Sequence, residues 1–191
     1  MKAEKKPGKL LRQLEARSIE VASRRPLEKD LGSGWSGIGF SLCGQQMVAP
    51  MGEVVEIIHV PSSTYIPGVC EWMLGIANVR GRLLSLVDLE NFYGARLAGN
   101  RNGHRALIVE HGNYYIGLVV SKVFGLKHFA ADAFDNKFDH SLELFSSCIQ
   151  GKGSDGESDW LRFSPRQLIK DTNFSDASVF GQGVITEEGA A

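Results

Sequence analysis

The sequence predicts a mostly β fold of small closed or nearly closed barrels, for three reasons. Short β-patterned runs are many, turn signals recur every ten residues or so, and helical periodicity is scarce. A parallel sheet would need a long helical crossover between strands, and none is visible.

The elements follow in order. Residues 1–34 stand apart as an N-terminal extension. Met1–Lys9 is charged and carries Pro7 and Gly8, which suits a disordered start. Leu10–Ser23 has rough helical spacing and reads equally as a short amphipathic helix or a frayed tail. Arg24-Arg25-Pro26 and Gly32-Ser33-Gly34 form a linker. From Trp35 the period becomes two. Gly37–Cys43 sets Ile38, Phe40 and Leu42 on one face of a strand, and Gly44-Gln45 turns it into Gln46–Ala49. Glu53–Val60 is β-branched and ends at Pro61, which has no N–H for a ladder. Pro67–Leu74 reads as a short helix, with proline at its first position and Gly75 as its stop. Asn78-Val79-Arg80-Gly81 is a turn leading into the strand Arg82–Val87. Asp88 caps a short helix, Leu89–Tyr93, that Gly94 closes. Gly99–Gly103 is a polar loop. Arg105–Glu110, Tyr114–Val120 and Lys122–His128 are strands, the first two joined at His111-Gly112-Asn113. Cys148–Lys152 and Asp159–Phe163 are strands joined by the loop GSDGES. Ser164 caps the final helix, with Pro165 at its first position and Gln167 completing a capping box. Residues 172–191 read as a C-terminal tail.

Composition excludes several function classes. A hydrophobic fraction of 43% fills a core, and a net charge of −1 gives no basic field for nucleic acid. The three cysteines form no CxxC pair and are odd in number, which fits a reducing, cytoplasmic compartment. The basic N-terminus lacks the apolar stretch of a secretory signal, and no apolar run reaches the roughly 20 residues that span a bilayer.

Catalytic chemistry is hard to find. His59, His104, His111, His128 and His140 make no HxxxH or HExxH pair, so each reads as a surface or structural histidine. Asp132, Asp135 and Asp139 have the spacing of one helical face but no EF-hand pattern. Gly151–Asp159, GKGSDGESD, lacks the order of a phosphate loop and reads as a hairpin loop. No catalytic, cofactor-binding or metal-binding residue is assigned. A β-barrel ligand-binding module or enzyme with a dispersed site is the alternative class, since a triad is recognised only in space. Arg80, at the turn before a strand, projects outward and has two readings. It grips a carboxylate or helix-end carbonyls on a partner, or it makes an intramolecular ion pair or carbonyl clamp.

The stretch Gly75–Leu89, GIANVRGRLLSLVDL, resembles the GxxNxRGxxxPxxDL segment of CheW-like domains. The resemblance runs from Trp35 to about Asp171, in order. Ile38–Cys43 matches the opening strand and Met47–Ile57 the next two. Ala106–Glu110 and Tyr115–Val123 match the first strands of the other half, and Trp160–Lys170 the last strand and helix. WSGIGF, VAPMGEV and RALIVEH look most like the members that serve chemosensory systems controlling type IV pili and twitching. Ser85 stands where the family has proline.

That resemblance implies two small five-stranded SH3-like barrels in residues 35–171, with short helices and a hydrophobic groove between the barrels. It implies a non-enzymatic adaptor, without cofactors, that couples the cytoplasmic tip of a chemoreceptor to a CheA-type histidine kinase and meets the membrane only through the receptor. Carried over by position, Ile38, Met51 and Val54 contact the kinase. Gly75, Arg80, Gly81, Ala106 and Gly117 lie at the receptor groove. Strand alternation and turn geometry offer each of these residues a purely structural role as well.

Overall fold

A computed structural model of the chain describes residues 34–135 and 145–178. The proposed helix Leu10–Ser23, Asp139, His140 and the chain beyond 178 lie outside the described residues. Strands β1 (Trp35–Leu42), β2 (Gln45–Pro50), β8 (Lys122–Phe129), β9 (Phe134–Asp135), β10 (Ile149–Ser154) and β11 (Asp159–Phe163) form one sheet, ordered β8-β1-β2-β11-β10-β9. Strands β3 (Glu56–His59), β4 (Met73–Val79), β5 (Arg82–Asp88), β6 (Arg105–His111) and β7 (Tyr114–Val120) form a second, ordered β3-β6-β7-β5-β4. Three short α-helices, α1 (Leu89–Phe92), α2 (Pro165–Lys170) and α3 (Thr172–Ser178), and a 3-10 turn at Arg101–Gly103 complete the described fold. Most pairs are antiparallel; β2–β11 and β5–β7 are parallel.

The mostly β fold in two sheets is as expected, and of the expected closed or nearly closed five-stranded barrels the closed form is corrected on two counts. The first sheet has six strands, and neither sheet pairs its outer strands with each other. The edges are drawn together otherwise, by side chains in the first sheet and by a backbone bridge in the second. In the first sheet, Phe129 at the end of β8 and Phe134 of β9 meet with ring centroids 4.9 Å apart. In the second, β3 is four residues long and soon reaches Pro61, so its ladder stops early. The chain then crosses to the outer edge of β4 and makes a single bridge, Thr64 to Ile76.

Three apolar clusters follow from the strand alternation. Ala77, Leu84, Leu86, Ala106, Ile108 and Val119 fill one face of the second sheet. Val48, Phe129 and Trp160, with Trp35 and Phe134, fill one face of the first. A third, shared cluster takes Phe40, Met47, Phe163 and Leu161 from the first sheet and Val87, Leu107, Ile116 and Leu118 from the second. Gly39 belongs to this design, because a Cβ there would sit 2.9 Å from the Trp160 ring.

Several local expectations shift. The β1–β2 turn residues are Cys43 and Gly44, with φ of 49° and 78°, rather than Gly44 and Gln45. The helix expected over Pro67–Leu74 is absent. Gly68 has φ 82°, which a right-handed helix does not accommodate, and Trp72 gives its carbonyl to the Asp88 N–H, drawing the chain into β4. The strand expected from Glu53 starts at Glu56. Asp132 sits in a turn and Asp135 in β9, so they share no helical face. Asp88 does cap α1, accepting from the Asn91 N–H at 2.9 Å, and Ser164 caps α2. The reciprocal arm of the capping box is replaced, because the Ser164 N–H donates to the Cys148 carbonyl.

The stretch read as a tail begins as helix α3. Its Phe174 is fully buried, stacked on Trp72 at 5.6 Å and edge-on to Phe92 at 5.3 Å. Burying such a ring contributes about 1.5–3 kcal/mol, enough to hold a short helix in place.

Candidate functional site

The β4–β5 hairpin is built for a rigid tip. Val79 pairs with Arg82, leaving Arg80 and Gly81 as a two-residue loop with φ of 53° and 81°. Positive φ at both positions is the type I′ pattern, whose twist matches that of the flanking strands. Glycine adopts it freely; arginine does so at a cost. Asn78 secures the loop, its Oδ1 accepting from the Gly81 N–H at 2.9 Å.

Arg80 then reaches across the open side of the sheet to Glu56 on β3. Its two Nη atoms donate to the two carboxylate oxygens at 2.9 and 2.7 Å. The intramolecular ion pair raised by the sequence is therefore present, and the arginine side chain is still 76% exposed. Two of its five donors serve Glu56, leaving three free of that fork. Arg82 makes a second fork, to Glu110 at 3.2 and 2.8 Å, and lies 3.9 Å over the Tyr115 ring. Hydrogen bonds from Arg82 hold the Glu110 carboxyl below the usual carboxylate range.

The neighbouring face is apolar. Leu83, Ser85 and Val87 alternate onto one side of β5, and pairing puts Asn78, Ile76 and Ile116 on that side. Val87 and Ile116 belong to the shared core, whereas Leu83 emerges 68% exposed. The core thus runs out to the surface beside Arg80. Ser85 pairs with Ile76 within the β4–β5 ladder, a position where proline would remove an N–H.

The other residues that the resemblance assigns to a receptor contact sit inside. Ala106 is fully buried, and Gly117 packs against the Leu84 and Leu86 side chains. Both shape the sheet behind the hairpin and present no side chain to a partner. Gly75 lies at a bulge with φ 120°, and a Cβ there would collide with the Thr64 carbonyl oxygen. It secures the one bridge along the outer edge of β4.

The residues that the resemblance assigns to a kinase contact lie on β1 and between β2 and β3, with Val54 two residues ahead of Glu56, which holds Arg80. Ile38 and Val54 are half-buried against the shared core, and Met51 is 52% exposed in the β2–β3 turn. Ile38 pairs with exposed Leu126 on β8, and exposed Val55 follows Val54. The turn is pinned to α2. Glu53 accepts from the Ser164 hydroxyl at 2.8 Å and the Arg166 N–H at 2.9 Å, and Arg166 donates to the Gly52 carbonyl at 2.8 Å. Leu83, Val55, Leu126 and the Glu53 anchor were missed from sequence. Runs such as RLLSLVDL carry too little polar alternation to mark their outward residues.

Reactive groups are muted. The Cys43 thiol is pushed up to about 11, chiefly by burial and then by the Glu90 and Asp88 carboxylates. His104 bonds the Ala98 carbonyl and His128 bonds Ser36, both structural uses. Asp155 closes the β10–β11 loop, accepting from the Glu157 and Ser158 N–H groups and from Lys127. Among the described residues, no group of His, Cys, Asp and Glu is placed to hold a metal.

Comparison with known proteins is consistent with this geometry. The family model of the CheW-like domain matches residues 36–172. Over 173 residues, covering 91% of this chain and 97% of the relative, the sequence is 40% identical to Protein PilI of Pseudomonas aeruginosa. It is 24% identical over 86 residues to Chemotaxis protein CheW of Helicobacter pylori, covering 45% of this chain and 52% of that protein. The fold matches the crystal structure of scaffolding protein TtCheW from Thermoanaerobacter tengcongensis with a TM-score of 0.58 and 21% identity, over 68% of this chain and 88% of that one.

Proposed function

The chain belongs to the CheW-like family, and on that premise we propose that it is a non-enzymatic adaptor coupling a chemoreceptor to a CheA-type histidine kinase. The likeness to PilI directs this proposal to the chemosensory machinery that controls type IV pili and twitching. The adaptor works in the cytoplasm and is recruited to membrane arrays through its receptor. Among the described residues no helix is long and apolar enough to cross a membrane.

The observation that carries the reading is the β4–β5 hairpin. A left-handed arginine costs backbone energy, yet it stands at the tip of a braced turn with its guanidinium oriented by Glu56 and mostly exposed. Fixed in this way, Arg80 loses little side-chain entropy when a partner arrives. Its free donors suit the carboxylates or carbonyls of the receptor's cytoplasmic helical hairpin. Ile76 and Leu83 supply the apolar contact beside it, in the groove. Gly81 keeps the tip narrow, while Gly75, Ala106 and Gly117 hold the sheet in shape.

The kinase docks on the other surface, around Met51, Ile38 and Val54, with Leu126 and Val55 extending the patch. Exposed aliphatic groups on an anchored turn provide the area such a contact buries. Two separate surfaces let one domain hold both partners at once. The test is a double dissociation with a receptor-tip fragment and a kinase regulatory domain. Arg80→Ala is expected to weaken only the receptor contact and Met51→Asp only the kinase contact. Loss of both contacts in each variant, or of neither, would refute the assignment of two surfaces.

A further inference from the structure

An open cleft of about 550 Å³ lies away from the Arg80 hairpin, where α1 meets the start of α3. Trp72, Phe92, Tyr93, Ser147, Asp171 and Asn173 line it, together with the backbone of Gly94. Phe92 stands edge-on to Trp72, at 84°, and to Tyr93, at 75°, so the rings form a corner of near-perpendicular walls. Among the described residues of the lining, Asp171 is the one charged side chain, and no basic side chain is there to neutralise it.

The carboxylate has capacity to spare. Its Oδ1 accepts from the Asn173 N–H at 2.9 Å and its Oδ2 from the Ser147 hydroxyl at 2.9 Å. A carboxylate offers about four lone-pair sites, so both oxygens can take a further donor. The two existing bonds also fix its orientation. A planar cation that stacks on aromatic faces while pairing both oxygens of a carboxylate is a guanidinium; an ammonium matches only the charge.

We propose that this cleft receives an arginine side chain from a protein partner, with the guanidinium forked onto Asp171 and lodged in the corner of Trp72, Phe92 and Tyr93. This is a third contact, independent of the adaptor reading and of both surfaces assigned above. It gives the domain a means of selecting a partner segment by one anchored basic residue.

The test uses the full chain and two short peptides, Ac-Gly-Arg-Gly-amide and the same peptide with neutral, isosteric citrulline, followed by nuclear magnetic resonance. The arginine peptide is expected to shift the Trp72 indole and Gly94 amide signals saturably, and the citrulline peptide to leave them in place. Asp171→Asn should weaken binding about tenfold, which corresponds to about 1.4 kcal/mol. Asparagine caps a helix as well as aspartate does, so α3 should persist in that variant. Phe92→Leu keeps apolar bulk, removes one wall, and should also weaken binding. Equal response to citrulline, indifference to Asp171→Asn in a folded variant, or the absence of shifts at Trp72 and Gly94 would each overturn the proposal.

Discussion

Replacing Arg80 with alanine separates a structural arginine from a binding one. The side chain is 76% exposed, and its partner Glu56 is 30% exposed. Exposed ion pairs of this kind contribute about 0.2–1 kcal/mol, even as a fork. The backbone gains nothing from the change, since alanine tolerates a φ of 53° no better than arginine does. For a chain of this length 1 kcal/mol moves the melting temperature by about 2–4 °C, so Arg80→Ala should lower Tm by no more than about 4 °C. Binding should respond more strongly. An oriented guanidinium at the centre of an interface is worth about 2 kcal/mol or more, a loss of roughly 30-fold in affinity for the receptor tip. Thermal melts and titration calorimetry on the same samples give both numbers. Glu56→Gln should reproduce part of the binding loss by releasing the guanidinium from its fork. A fall in Tm beyond about 8 °C with receptor affinity unchanged would refute this reasoning and leave Arg80 as a clasp across the open sheet.

Three further outcomes are expected. Met51→Asp, at an exposed turn residue, should weaken kinase binding about tenfold or more with Tm nearly unchanged; equal affinity in a pull-down titration would remove Met51 from the kinase surface. Gly75→Ala forces a Cβ onto the Thr64 carbonyl and a left-handed alanine, so a loss of about 2–4 kcal/mol is expected in urea melts; a loss under about 1 kcal/mol would show that the bulge yields easily. At Asp155 burial opposes ionisation, yet the Ser158 and Glu157 N–H groups and Lys127 hold the carboxyl at about 2, below its usual 3.8. A depressed carboxyl stabilises the fold above its unfolded value and loses that contribution as pH falls, here between about pH 4 and 2. The Tm advantage of the parent chain over Asp155→Asn should therefore be full at pH 6 and mostly lost by about pH 2; an advantage independent of pH would contradict the assignment.

Much of the fold was legible because its cues were local. Period two placed Phe40 and Leu42 in the core, and proline and serine chemistry located α2. Where one residue type serves two purposes, the sequence misled. Pro67 and Gly75 have the positions of a helix start and stop, yet Gly75 is a bulge inside β4, and Gly68 breaks the helix they suggest. Helix α3 escaped notice because one phenylalanine in TNFSDAS anchors it, and its partners Trp72 and Phe92 are about 80 to 100 residues away. Barrel closure failed for a related reason: whether outer strands pair depends on edges that meet only in three dimensions. At the candidate site, the rigidity of Arg80 was readable from the Asn-x-Arg-Gly spacing. Its fork to Glu56, the exposure of Leu83 and the anchoring of the Met51 turn by Glu53 were not, since each joins segments with no shared local pattern. The burial of Ala106 and Gly117 follows from β6–β7 register, which a single strand does not reveal.

The central claim is that one domain bridges two proteins through separate surfaces. Its most direct measurement is sedimentation of a CheA-type kinase with membranes bearing the cognate receptor, with and without this chain. The account predicts that the kinase sediments only when the chain is present, and that either Arg80→Ala or Met51→Asp abolishes the effect. Kinase recruitment that is equally efficient without the chain, or that survives both substitutions, would contradict it.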